Sequence, residues 1–110
     1  MSAPVVDARA AEVFAALGDA TRLTLLATLG TTGAATATRL AEPLPVTRQA
    51  VTRHLRVLED AGLVRSTKHG RDVLFRVDAD ALRERAEWLV AVSSAWDRRL
   101  ADLRTRAERP

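Results

Sequence analysis

The sequence predicts a small, mainly α fold with one β-hairpin, in the order of four helices, two strands and a long fifth helix. Three observations carry this. Asp19, Thr36 and Thr47 each stand where a cap precedes a helical stretch. After His69-Gly70, Val73, Phe75 and Val77 alternate with Asp72, Leu74 and Arg76, so the period of a strand is mostly kept. Leu82, Ala86, Leu89, Ser93, Trp96, Leu100, Leu103 and Ala107 recur at steps of four and three, a heptad stripe sustained for more than three repeats. The chain has 110 residues, one domain's worth. No repeat, low-complexity tract or long linker divides it, so a single domain over 1–110 is expected.

The first helix is expected over 6–17, with Val6, Ala10, Val13 and Leu17 on one side and Phe14 beside them; Gly18 ends it. Asp19 then caps a second helix whose inner side carries Leu23, Leu26 and Leu29, and Gly30 and Gly33 bracket a loose turn. Thr36 caps a short third helix ending near Ala41, since Pro43 and Pro45 forbid continuation. Thr47 caps the fourth. At about 100° per residue, Val51, Leu55 and Leu58 share one side of it, and Gln49, Thr52, Arg53 and Arg56 a narrow arc on the other. Gly62 suits the position just past its end. Strands follow over 63–68 and 71–77, with His69-Gly70 as the tight turn. The last helix runs from about Ala79 to Arg106. It is too long to bury its whole stripe on so small a core, so the remainder is expected to pack on a second copy of itself.

Net charge is +3, unevenly spread. Residues 1–46 carry three Arg against four acids; 47–77 carry six Arg and one Lys against three acids; 78–110 carry seven of each sign. The positive excess therefore lies in the fourth helix and the hairpin, as expected of a face that meets a polyanion. There is no cysteine, which excludes disulfides, thiolate metal sites and cysteine nucleophiles. No stretch approaches the roughly 20 apolar residues of a membrane span, and the N-terminus has no signal-peptide pattern. A soluble cytoplasmic protein is expected. Two His, no Cys, no Tyr and no glycine-rich phosphate loop leave no arguable catalytic pairing, and no enzyme is expected.

Thr36 to Val77 holds the informative constellation: short helix, turn, capped helix, basic hairpin. This is the pattern of a winged helix-turn-helix (36–61, with the wing at 63–77). An α-helix fits the major groove of B-DNA, provided one side is anchored and the other offers polar groups to base edges. Gln49, Thr52, Arg53 and Arg56 meet that need: Gln suits adenine, Arg guanine or phosphate, Thr phosphate or a thymine methyl. Thr47 and Arg48, at the helix start, suit a phosphate. Arg65, Lys68, Arg71 and Arg76 make the hairpin basic, with His69 at its tip. Lys68, His69 and Arg71 are the expected contacts as the wing lies along the neighbouring backbone or minor groove.

Two runs carry a resemblance. One is Val13-Phe14-Ala15-Ala16-Leu17-Gly18-Asp19-Ala20-Thr21-Arg22-Leu23; the other is Pro45-Val46-Thr47-Arg48-Gln49-Ala50-Val51-Thr52-Arg53-His54-Leu55-Arg56-Val57-Leu58. Ala61-Gly62-Leu63-Val64, Gly70-Arg71 and Phe75-Arg76-Val77 complete it. The chain resembles the arsenic-repressor (ArsR/SmtB) family of bacterial winged-helix regulators. The resemblance implies a homodimer joined through the first helix and the last (6–17 and 79–107), binding of operator DNA, and repression relieved by a signal. By position, Thr47, Gln49, Thr52 and Arg53 fall where the family contacts DNA, and Arg56, Lys68 and Arg71 where it approaches phosphates. The interface residues expected are Val6, Val13, Leu82, Leu89, Trp96, Leu100 and Leu103. Ala20 stands where the family often has proline. Metal-sensing members place cysteines around what is here Ala37 to Leu40, and others place His and acids on the last helix. Here that helix offers Glu84, Glu87, Asp97 and Asp102 without a His, and carboxylates alone rarely hold a transition metal tightly. A non-metal member is expected, with no cofactor and a small-molecule or other non-metal inducer.

Blander readings stand beside these. His54 faces inward near Leu58 and Ala61 on the helical wheel, a structural position rather than a ligand. Trp96, on the stripe, is read as dimer core rather than pocket lining. Trp88 either covers the seam or touches the winged domain. Arg98-Arg99 is read as a solvated face. The competing function is a winged helix used only for protein contacts, which would not need the basic polar arc of the fourth helix.

Overall fold

The computed structural model describes residues 4–109; residues 1–3 and 110 of the expected domain lie outside the described residues. The elements are α1 (Ala8–Leu17), α2 (Ala20–Thr32), α3 (Ala37–Ala41), α4 (Arg48–Asp60), β1 (Val64–His69), β2 (Asp72–Val77) and α5 (Ala79–Glu108). Each helix begins at a side chain that accepts from an otherwise unpaired backbone N–H. Asp7 accepts from Ala10 N (2.6 Å), Asp19 from Arg22 N (3.0 Å), Thr36 from Arg39 N (3.2 Å), Thr47 from Ala50 N (3.0 Å) and Asp78 from Ala81 N (3.1 Å). The Asp7 cap starts α1 two residues later than periodicity implied. Val6 therefore lies ahead of the helix, exposed.

Two expectations for α2 are corrected. The helix does not stop at Gly30 but runs to Thr32, ending where Gly33 takes over as cap. One interior glycine costs a helix only about 1 kcal/mol, and the positive φ that closes this one belongs to Gly33 (φ 84°), whose N–H donates to Leu29 O. Its inner side is Leu25 and Leu29, with Leu26 packed beside them, while Leu23 is half exposed.

The centre of the core is the apolar side of α4. Val51, Leu55 and Leu58 are fully buried against Leu25, Leu29, Leu40, Leu63, Val64 and Phe75, each worth roughly 1.5–3 kcal/mol of burial. The end of α4 is closed by Gly62 N–H donating to Glu59 O (2.9 Å) and Leu63 N–H to Leu58 O (3.0 Å), a Schellman arrangement that needs the left-handed backbone of Gly62 (φ 82°).

The strands pair antiparallel with Val64 opposite Val77, Ser66 opposite Phe75 and His69 opposite Asp72. The two-residue loop is therefore Gly70-Arg71 rather than His69-Gly70, with Gly70 at φ 62° supplying the positive φ of a primed hairpin turn. Ala35 exchanges backbone bonds with Phe75 (3.0 and 2.8 Å), tying the chain just ahead of α3 to the hairpin.

The fifth helix contributes no fully buried side chain. It projects from the body: the molecule measures 71 × 25 × 22 Å with a radius of gyration of 18.8 Å, against the ~13 Å of a compact domain of this length. Leu89, Val90, Val92, Trp96, Leu100 and Leu103 stand exposed along it. One residue expected at a subunit interface belongs instead to its own subunit: Val13 is 2% exposed, because Ala10, Val13 and Ala16 form the buried side of α1. Leu82 packs partly on the core. Trp88 touches its own domain. Its Nε1 donates to Val5 O (2.7 Å) and its ring lies 5.6 Å from that of Phe14. No single helix among the described residues is long and apolar enough to cross a membrane.

Candidate nucleic-acid interface

With one side of α4 held in the core, its other side faces solvent. Thr47, Arg48, Gln49 and Arg53 are exposed and Thr52 half-buried. Thr47 uses its hydroxyl oxygen as the cap, and Thr52 donates its hydroxyl to Arg48 O (3.0 Å). The free hydrogen-bonding capacity of this arc therefore rests mainly on Gln49, Arg48 and Arg53, with the Thr52 methyl as an apolar contact.

The fold joins the start of α4 to the hairpin across a narrow groove of about 220 Å3, lined by Thr36, Thr38, Arg48, Thr52, Arg56 and Arg71 among others. Cations from two elements thus converge on one trough. Sequence reasoning missed Thr36 and Thr38. The cap at Thr36 gave away the helix but not that its first turn opens onto the same groove.

Arg56 differs from the rest of the arc. Its Nη1 donates to Glu59 Oε1 (2.7 Å) and lies 3.4 Å from Ser66 Oγ, and its guanidinium sits 5.2 Å from the centre of the Phe75 ring. Ser66 in turn donates to Glu59 Oε2. The Ser66 hydroxyl, helped by the Arg56 guanidinium, holds the Glu59 carboxyl below the ordinary glutamate range. Arg56 therefore arrives already engaged, bracing the helix against the hairpin. The acid three residues on was the available signal.

In the hairpin, Arg65 and Arg76 pair across the strands on the side away from Phe75. Arg65 Nε donates to Asp78 (2.8 Å) and Arg76 Nη1 to Thr67 Oγ1 (3.2 Å). The Arg65 guanidinium, with the Ala81 N–H, keeps the Asp78 carboxyl below its usual range. Lys68, His69 and Arg71 are exposed at the tip, without an ion pair among the described residues.

His54, on the same side of α4 as Leu58 and Ala61, sits at the seam with the start of α2. Arg22 Nη1 donates to its Nδ1 (3.3 Å), and Asp19 lies 3.8 Å away. Among the described residues no three His, Asp or Glu side chains converge as a metal site would require.

A family model described as a helix-turn-helix domain matches residues 17–67, from the end of α1 into β1. The solved structure of an ArsR-like transcriptional regulator from Rhodococcus sp. RHA1 is 42% identical and superposes with a TM-score of 0.81, covering 94% of this chain and 96% of that one. The chain belongs to the ArsR family of winged helix-turn-helix transcriptional regulators. An HTH-type transcriptional regulator of Methanocaldococcus jannaschii is 32% identical over 76 residues, 69% of this chain and 85% of the relative. The structure of AntR, an antimony-specific transcriptional repressor, is 30% identical with a TM-score of 0.57, over 77% of this chain and 78% of that one. The ArsR assignment makes this chain a transcriptional regulator with a DNA-binding domain, not a member of an enzyme class. The matched helix-turn-helix segment contains the whole arc of α4 and stops just short of Lys68, His69 and Arg71.

Proposed function

We propose that this ArsR-family protein is a repressor that binds an inverted-repeat operator as a homodimer in the cytoplasm. One observation carries the reading: α4 has its aliphatic side sealed in the core while Gln49, Arg48 and Arg53 stand outward. Gln49 and Arg53 are assigned to base edges, and Thr47, Arg48, Lys68, His69 and Arg71 to phosphates, with Thr52 and Arg56 flanking. The exposed apolar stripe of α5 supports a second copy as partner, with Leu89, Trp96, Leu100 and Leu103 at the seam. Such a stripe on a free rod is larger than a soluble monomer normally leaves open. Repression follows from occupancy: a dimer lying over a promoter excludes polymerase without a further domain. AntR, a similar protein, is a repressor.

Selection from a random duplex library tests this. The enriched sequences should be inverted repeats with half-sites about one helical turn, or a multiple, apart. Affinity for the winner should fall steeply with salt, as expected when roughly 6–10 phosphates are neutralised per dimer. In a purified transcription assay, a promoter carrying that site should be silenced. A flat salt dependence, an asymmetric single half-site, or increased transcription would each refute the corresponding part of the reading.

A further inference from the structure

On the side of the molecule away from Phe75, a second cleft of about 700 Å3 opens between the start of α1, the end of α4, the root of the hairpin and the start of α5. It is the size of a small-molecule site, but its wall is polar. Two arginines in it are underused. The Arg85 side chain is only 13% exposed, yet among the described residues its one ion partner within 4 Å is Asp7 Oδ1 at 3.7 Å, too far for a hydrogen bond. That same oxygen already accepts from Ala10 N at 2.6 Å as the cap of α1. A guanidinium so far removed from water normally finds an oxyanion to pair with. Arg9 lines the cleft with no ion pair or hydrogen bond among the described residues, its guanidinium lying over Gly62. A Cβ at Gly62 would stand 2.7 Å from Arg9 Nη2.

We propose that this cleft is an effector site for a small molecule bearing an oxyanion group, a carboxylate or a phosphate, held by Arg85 and Arg9. The other lining cations are committed elsewhere, Arg65 to Asp78 and Arg76 to Thr67, and of the four lining carboxylates Asp7 and Asp78 serve as helix caps and Glu59 binds Arg56 and Ser66, which leaves Glu84. The position explains how occupancy reaches DNA. Arg9 lies over Gly62, the residue that terminates the recognition helix, and the cleft wall includes Ser66, which anchors the hairpin to Glu59. A ligand drawing Arg9 and Arg85 toward itself therefore acts on the end of α4 and the root of the wing together. Its binding does not depend on the repressor reading; its effect on DNA does.

The test begins with the free protein. Inorganic phosphate and malonate are titrated separately at ionic strength held constant with sodium chloride, and 1H–15N spectra follow the backbone and the arginine Nε–H groups. Saturable shifts are expected at Gly62, Ser66 and Arg85 Nε, with affinity reduced at least tenfold in Arg85→Gln and in Arg9→Gln, and unchanged in Arg71→Gln on the DNA face. Arg9 is exposed, so its variant keeps the test valid if loss of Arg85 disturbs folding. A response to phosphate alone assigns a phosphoryl ligand, and one to malonate alone a carboxylate. Response to neither, shifts confined to the Arg48 and Arg71 face, or wild-type affinity in both cleft variants overturns the site. With the selected duplex added, the anion should change wild-type DNA affinity roughly tenfold and leave Arg9→Gln unaffected. Anion binding without that change overturns the effector role while leaving the repressor reading intact.

Discussion

Replacing Trp96 by alanine tests the subunit seam most directly. Trp96 is 60% exposed in the single chain. A tryptophan presents up to ~250 Å2, so about 150 Å2 of this one is left for a partner. At about 25 cal/mol per Å2 complete coverage is worth nearly 4 kcal/mol, and coverage of half that area about 2. A twofold seam uses each residue twice, so the dimer loses roughly 4–7 kcal/mol, or about three to five decades in the dimer dissociation constant. Sedimentation equilibrium over a concentration series reads this, with far-ultraviolet circular dichroism checking that α5 stays helical. A shift of less than tenfold, with helix content unchanged, would place the seam elsewhere and refute the argument from the exposed stripe.

Gln49→Ala should lower the preference for the selected site over scrambled duplex by about 1–3 kcal/mol, whereas Arg71→Ala should weaken both duplexes alike and flatten the salt slope; anisotropy titrations at several salt concentrations separate the two. Glu59→Gln should flatten the acid limb of stability. The folded-state pKa of Glu59 lies below its unfolded one, so its contribution is complete above pH ~4.3 and is lost as pH falls through the folded value. Urea melts at pH 7 and in the acid range should therefore converge for wild type and variant as pH drops. Phe75→Ala empties a core position that is 2% exposed and removes the surface beneath Arg56. It should cost about 3–5 kcal/mol, read as a lower urea midpoint.

What the sequence made legible follows from how local each determinant is. Caps at Asp19, Thr36 and Thr47, the Gly62 terminus and the anchored side of α4 depend on neighbours within a turn or two, and the structure has them where the residues imply. Gly30 misleads because either of two glycines three residues apart suits a helix end, and the positive φ that selects Gly33 is not written in the sequence. The hairpin loop lies one residue later than expected because the alternation of 72–77 does not by itself choose between His69-Gly70 and Gly70-Arg71; the pairing of His69 with Asp72 does. Val13 was assigned outward because the apolar stripe of α1 looks the same whether it faces a partner or its own core. For the candidate DNA face, the outward arc of α4 could be read from periodicity alone. The groove shared with Thr36 and Thr38, and the engagement of Arg56 by Glu59, Ser66 and Phe75, needed residues far apart in the chain, as Thr36 and Arg71 are, to be brought together.

The projecting thirty-residue helix has a bearing on abundance as well as on architecture. Since no side chain along it is sealed by its own subunit, whatever pairs with that stripe supplies much of its ordering free energy. Thermal midpoints should then climb with protein concentration. Newly made copies arriving while the protein is scarce would spend longer with the rod frayed and open to proteases. Turnover and pairing would thereby be linked, and the cellular level of the regulator would drop more sharply than its synthesis rate as expression is turned down.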